Sequence, residues 1–321
     1  MDIFEKRSAS PMLIHGESEP FDSEEYVYEL KMDGERCLAY LDKTGTDLIN
    51  RRDRRVLPNF PELAAIHKQA KKRCILDGEL IVGVGSKQDF ELIKQRALVK
   101  NPYTIRTLSA QNPATFVATD ILYVDDRQLT HLPLEERKTL LRKTVSDSER
   151  LVVVHTIDSF GVKFYQLVKD KGLEGVIAKK KSSVYRMGKR TYEWSKFKNW
   201  ENANFVVCGY LPSDRANVVS LVLGQYNEDG EMIYKGRVTL GVKRMEFAEV
   251  DKQKRAKGHP FSQVPPEASK GAVWLQPRLV CKAGFMCYTV NLRLRQPFFI
   301  ELMPGVSPKS VKELTALEVC S

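Results

Sequence analysis

Residues 29–40 read ELKMDGERCLAY, a strand-like pattern interrupted by lysine, methionine, aspartate and glycine before it resumes as CLAY. Upstream of the break, Tyr26, Tyr28 and Leu30 alternate with polar residues. Downstream, CLAYLDKTGTDLINR reads as strand, glycine-containing turn, strand. The chain therefore begins β-rich, with the charged interruption at a strand end. Taken structurally, Asp33-Gly34 makes a tight turn whose flanking charges face water. Taken chemically, Lys31-x-Asp33-Gly34-x-Arg36 offers a lysine nucleophile, whose amine attacks phosphorus when neighbouring cations favour its neutral form. A pattern this short arises by chance in on the order of one such chain in a hundred, so the rest of the sequence has to decide.

Pro61 at a first helical position, Leu63 and Ile66 at helical spacing and the lysines at 68, 71 and 72 predict a helix over 61–72. CILDGELIV (74–82) predicts strand structure turning at Asp77-Gly78, and FVATDILYV (116–124) a further strand. PLEERKTLLRKTV (133–145) has a helical pattern, and a helix over about 160–171 ends on Gly172. Past residue 204 the texture changes to repeated short strands: FVVCGYL, VVSLVLGQY, MIYKGRVTLG, WLQPRLVCK and FMCYTVNLRL. Such a run builds a small barrel or sandwich. The reading is an α+β chain of two packed domains, 1–201 and 202–321, joined near FKNWENAN.

With 42% hydrophobic residues in 321, the chain has enough apolar material for real cores and is not a disordered segment. Its 51 basic against 41 acidic residues favour a polyanionic partner. The excess lies in local runs such as RRDRR (51–55), KQAKKR (68–73), KKK (179–181) and KQKRAKG (252–258), each of which is by itself no more than a solvated face. Six cysteines, with no CxxC pair and no histidine at zinc-finger spacing, predict reduced thiols. MDIFEKRSAS lacks the apolar core of a signal peptide, and nowhere do 18 apolar residues run together. A soluble, cytoplasmic monomer with no membrane partner is expected.

Five motifs in order carry a resemblance: SPMLIHGESEPFDSEEYVYELKMDGER, NFPEL, LDGELIV, LEGVIAKK and WSKFK. Together they resemble the covalent nucleotidyltransferases, specifically ATP-dependent DNA ligases, and most closely the ligase module of bacterial end-joining enzymes. The resemblance implies an ATP-grasp-like nucleotidyltransferase domain followed by an all-β OB-fold. It implies that Lys31 carries AMP, that Glu29 reads the adenine, and that Arg36 and Arg51 (of LINRRD) contact the nucleotide. Glu79 of LDGEL and Glu174 of LEGVIAK match acidic residues that handle ribose and a divalent metal, Mg²⁺ or Mn²⁺. Lys179, Lys196 and Lys198 match residues that neutralise the triphosphate; on a strand, 196 and 198 share a face, so both can converge on one phosphate. The implied partners are ATP, nicked or broken duplex DNA and a Ku-type end-binding protein, in DNA repair and recombination at the nucleoid. RNA ligases and GTP-using capping enzymes share the Lys-x-Asp-Gly core and are the rival enzymes. A degenerate ligase fold that only binds DNA ends is the rival of another class.

Two positions depart from the family pattern. An aromatic that stacks on adenine is usual just before the aspartate of FVATDILYV, where this chain has Thr119, and the nearest aromatic, Phe116, falls on the opposite strand face. A basic motif that grips pyrophosphate is usual after PFFIEL, where this chain has MPGV (303–306), with Lys309 and Lys312 the available substitutes. Self-adenylylation slower than the later steps is expected.

Overall fold

The computed structural model describes residues 2–84, 89–212 and 219–313, and the chain divides into two compact units, one up to Asn199 and one from Trp200 onward.

In the first unit the order is β1 (Leu13–Ile14), β2 (Ser23–Leu30), β3 (Glu35–Asp42), β4 (Gly45–Asn50) and β5 (Cys74–Val82). Two helices follow, α1 (Asp89–Leu98) and α2 (Pro102–Gln111), then β6 (Ala114–Val124), β7 (Arg127–Gln128) and α3 (Leu134–Thr144). The unit continues with β8 (Leu151–Val153), β9 (Ile157–Ser159), α4 (Gly161–Asp170), β10 (Gly175–Lys180), β11 (Arg190–Thr191) and β12 (Trp194–Lys198). Two sheets organise it: one in the order β4-β3-β5-β6-β7, with β8 added on β6, and one in the order β12-β10-β2-β9. Alternation on β3 sends Cys37, Ala39 and Leu41 into one core with Leu76, Leu80 and Phe116. Leu38 and Tyr40 enter a second core with Ile75, Leu122 and Trp194.

The segment read as a helix over 61–72 is instead a chain of short 3₁₀ turns, Leu57–Asn59, Pro61–Leu63 and Ile66–Gln69. The spacing explains the difference, because the buried residues Phe60, Leu63 and Ile66 recur at a strict interval of three. That is the 3₁₀ repeat, not the 3.6-residue α repeat. Nor does the chain turn at Asp77-Gly78, since β5 continues through it, with only a shift of register against β6 at that step. Gly78 is there because a Cβ would meet the Val117 carbonyl oxygen at 2.4 Å and the Phe116 ring at 2.6 Å. The end of α4 is as read: Gly172, at φ 63°, donates its N–H to the Lys169 carbonyl, and Leu173 donates to Val168. This is a Schellman stop, with Leu173 and Val168 sharing an apolar cluster.

The second unit contains β13 (Glu201–Pro212), β14 (Val219–Tyr226), β15 (Met232–Val238), α5 (Arg244–Asp251) and α6 (Pro266–Ser269). After them come β16 (Val273–Phe285), β17 (Cys287–Tyr288), β18 (Leu294–Arg295) and β19 (Phe298–Leu302). Five strands form one sheet in the order β15-β14-β13-β16-β19. A bridge between Leu240, just beyond β15, and Phe298 of β19 joins the two edges, so the sheet curls closed as the small barrel of an OB-fold. Phe205, Val207, Leu221, Leu223 and Ala283 fill it. The 303–306 turn is part of this unit's packing, with Met303 and Val306 against Val206, Cys208 and Val280. None of the five cysteines among the described residues is in a disulfide, and Cys320 lies outside them.

Candidate active site

The site is built on one face of the β12-β10-β2 sheet. Register places Glu29 opposite Ile177 and Ile177 opposite Lys196, while Gly175 faces Lys198 and Lys179 faces Trp194. Because side chains alternate, Glu29, Lys179, Lys196 and Lys198 share one face. Tyr28, Val176, Ala178 and Phe197 take the other and pack beneath α4. Lys31 extends the ladder one step past β2, its N–H donating to the Gly175 carbonyl at 2.9 Å. The sheet's apolar side thus anchors the strands, and its polar side is left for chemistry.

Lys31 Nζ donates to Glu174 Oε1 at 2.5 Å, with the carboxylate buried and the lysine still partly open to solvent. Glu79 comes from β5, where it pairs with Arg36 of β3. Burial pushes its carboxyl up to about 8; Arg36 and Lys31 oppose this, and the negative charges of Glu174 and Asp77 add to it. A hard divalent cation would offset the negative charge that Glu174 and Asp77 press on Glu79. Among the described residues no group of three or more histidines, cysteines or acids gathers around one point. Mg²⁺ commonly takes only one or two carboxylates and fills its shell with water and phosphate oxygens, so a pair of acids is a sufficient protein donor set.

Arg36 is committed more firmly than the sequence implied. Its Nε and Nη2 grip both oxygens of the fully buried Asp77, each at 2.5 Å, and Tyr185 donates its hydroxyl to the same carboxylate at 2.6 Å. Burial works against the guanidinium's charge, but Asp77 outweighs it and raises its pKa well above the usual value. Arg51 lies exposed past β4, its N–H on the Arg36 carbonyl at 3.2 Å, beside a surface cavity of about 420 Å³ that Asn50 and Gly188 also line. Lys198 and Lys196 do converge, on the Glu17 carboxylate at 3.0 and 3.9 Å. Burial, then the charges of Lys198 and Lys31, pulls Lys196 below lysine's ordinary value.

Glu29 lies buried between two lysines. Lys179 reaches Oε2 at 2.8 Å while its ammonium sits 4.5 Å from the centre of the Trp194 ring. Lys138 of α3 bonds Oε1 and also donates to the Thr119 carbonyl at 2.7 Å. Burial alone would raise the Glu29 carboxyl, but Lys138 and Lys179 hold it below its ordinary value. Lys138 itself is pulled down to about 8 by burial, against the stabilising charge of Glu29. The sequence reading missed Lys138 and Glu17. Lys138 carries a signal, however: Leu134, Arg137, Lys138 and Leu141 are spaced as a core-facing helical stripe, and two of the four are cations. Thr119 has no ring to offer a base, its hydroxyl donating to the Asp77 carbonyl at 3.3 Å, and Phe116 is fully buried in the core.

The site thus gathers an amine held by one carboxylate, a second acid beside it and a row of lysines on the same sheet face. Residues 11–198 match the family model of the ATP dependent DNA ligase domain, and 214–304 that of the ATP dependent DNA ligase C terminal region. The chain belongs to the ATP-dependent DNA ligases and is an enzyme of that class. It is 31% identical over 291 residues to the SPbeta prophage-derived DNA ligase-like protein LigB of Bacillus subtilis, covering 90% of this chain and 97% of that one. The multifunctional non-homologous end joining DNA repair protein LigD of Mycobacterium tuberculosis is 29% identical over 322 residues. That match takes in 96% of this chain but only 40% of the relative. Among solved structures, the ligase domain of M. tuberculosis LigD superposes with a TM-score of 0.53 at 27% identity, covering 95% of this chain and 98% of that one. Mycobacterial DNA ligase D complexed with ATP and MES superposes at 0.54 and 26% identity, with the same coverage of both chains. No helix among the described residues is long and apolar enough to cross a membrane.

Proposed function

We propose that Lys31 is the residue that takes AMP, and that the chain seals nicks or breaks in duplex DNA by three transfers. Lys31 Nζ attacks the α-phosphorus of ATP and pyrophosphate leaves, giving a phosphoramidate. AMP then passes to the 5′-phosphate at the break, and the adjacent 3′-hydroxyl displaces it to close the strand. The observation that carries this reading is the Lys31 amine held at 2.5 Å by Glu174 on the same sheet face as Lys179, Lys196 and Lys198. Catalysis on such a surface is mostly positioning and charge stabilisation. The Glu17 carboxylate lies against Lys198 and Lys196 as a phosphate oxygen would, and it yields when the triphosphate enters. Glu29 faces the base, and Arg36 and Arg51 the nucleotide. Glu79 and Glu174 would hold Mg²⁺ or Mn²⁺, which would neutralise charge on the phosphate oxygens.

With Thr119 in place of an aromatic and an apolar turn at 303–306, self-adenylylation is slower than the later steps. The end-joining role in the mycobacterial relatives' names gives the proposed setting: double-strand break repair by a monomer in the cytoplasm, with a Ku-type end-binding partner. The test is incubation with α-labelled ATP followed by nicked DNA, with intact mass read at each stage. Wild type should gain one AMP and pass it to DNA, and Lys31→Ala should do neither. Strand joining undiminished in Lys31→Ala refutes the mechanism. GTP as donor and nicked RNA as acceptor separate the rival enzymes, and loss of sealing at pre-adenylylated nicks in Glu174→Ala separates catalysis from end binding.

A further inference from the structure

The two cations on the inner stripe of α3 do different work. Arg137 is absorbed by the framework: it grips Asp120 at 2.9 and 2.8 Å and donates to the carbonyls of Leu132 at 2.5 Å and Ser183 at 2.9 Å. Lys138 leaves the helix for the polar face of the other sheet, where it ties Glu29 to the Thr119 carbonyl. Glu29, Lys138 and Lys179 are 1%, 4% and 3% exposed. A fold in need of stability alone gains little from two buried lysines around one carboxylate, since apolar residues of similar size do as well or better at that depth. The cluster does fix a plane: an ionised carboxylate has about four lone-pair sites, and one ammonium on each oxygen leaves acceptor capacity in a set direction.

We propose that Lys138 is a positioning residue for donor-base selection: by locking the Glu29 carboxylate against the Thr119 carbonyl, it presents an acceptor to the exocyclic amine of adenine. This rests on the proposed role of Glu29 at the base. With no ring at Thr119, the base depends the more on that polar contact. Without Lys138 the carboxylate can rotate about its remaining bond to Lys179 and loses one of its two counter-charges, and burial then favours the protonated form. A protonated carboxyl no longer offers the same acceptor, so a purine with the amine and one without it are taken up alike.

The experiment measures single-turnover adduct formation at Lys31 with ATP and with purine riboside triphosphate, which lacks only the 6-amino group, in wild type, Lys138→Met, Lys138→Arg and Glu29→Gln. Wild type should prefer ATP by roughly ten- to a hundredfold, the range of one hydrogen bond to a charged group. In Lys138→Met that ratio should fall to within about threefold of unity, and Lys138→Arg should restore most of it. A Lys138→Met enzyme that slows on both donors equally, with the ratio intact, overturns the proposal. If Glu29→Gln also keeps the wild-type ratio, the role of Glu29 at the base is wrong and the proposal falls with it; if only Glu29→Gln abolishes the ratio, the assignment to Lys138 alone is wrong. Should Lys138→Met fail to fold, the pH dependence of the ratio decides, because taking a ratio cancels the titration of the attacking amine. The charged groups facing Lys138 are Glu29 from β2, Lys179 from β10 and Asp120 from β6, the last bound to Arg137. With Lys138 at about 8, the wild-type ratio should decline between pH 7 and 9 while that of Lys138→Arg stays level. A level ratio in both overturns the proposal.

Discussion

Replacing Gly34 by alanine tests whether contact with β5 fixes the loop that carries Lys31. An added Cβ would lie 2.2 Å from the Leu80 carbonyl oxygen, 2.8 Å from Glu79 Cγ and 3.1 Å from Ile81 Cγ2. Carbon and carbonyl oxygen approach no closer than about 3.3 Å even in favourable contacts, so the loop has to retreat by about 1 Å. Gly34 is not in the left-handed region, so alanine meets no backbone objection of its own and the clash is the whole perturbation. Lys31, three residues upstream, and Arg36, two downstream, move with it. A misplacement of about 1 Å typically loses about a hundredfold in rate, which is ~2.7 kcal/mol of barrier. The same overpacking should lower stability by about 1–3 kcal/mol. Single-turnover formation of the Lys31 adduct, followed by intact mass, reads the first effect, and urea unfolding reads the second. Gly16→Ala is the control, with nothing within 4 Å of its Cβ. A folded Gly34→Ala enzyme that adenylylates within about threefold of wild type would refute the reasoning, since a hundredfold loss is expected of a displaced loop.

Arg137→Met leaves Asp120 buried and unpaired, and should lower stability by about 3–5 kcal/mol in urea unfolding. Asp120→Asn in the same chain should recover part of that loss, and a single-variant cost below about 1 kcal/mol would contradict a paired role. Phe116→Ala should lower stability by about 3–5 kcal/mol while leaving the KM for ATP unchanged, because the ring lies in the core and not over the base; a raised KM in folded protein would place it at the nucleotide after all. The Glu79 carboxyl has an ordinary value of 4.5 and about 8 in the fold, so the native state binds the proton more tightly. Its contribution to stability is full below 4.5 and is lost as pH rises through 8. Metal-free Tm should therefore fall from pH 6 to pH 8, Mg²⁺ should restore it, and Glu79→Gln should flatten both responses.

What could be read from the sequence was what depends on near neighbours. The β3–β4 hairpin, the α3 pattern and the glycine stop after α4 are all set within a few residues, and each appears where its spacing puts it. The shared face of Lys196 and Lys198 likewise follows from period two alone. Leu63 and Ile66 fit both helix types because they are three apart, and only their burial in one core with Phe60 favours the tighter one. Asp77-Gly78 has turn composition, yet the glycine answers to Phe116 on the next strand, a contact between residues 38 apart. Lys138 and Glu17 went unnoticed for the same reason: each meets its partner across the fold, 109 residues away for Lys138 and Glu29. Within its own helix, the spacing puts Lys138 on the inner stripe but does not say which acid it meets.

Strand β10 lies in the middle of its sheet, hydrogen-bonded to β2 on one side and β12 on the other, with Lys179 on one face and Val176 and Ala178 on the other. Losing or gaining one residue there would exchange the two sets, turning Lys179 toward the oil beneath α4 and Ala178 toward the charges. A substitution in this stretch alters one side chain, whereas a change of length alters the facing of every residue beyond it.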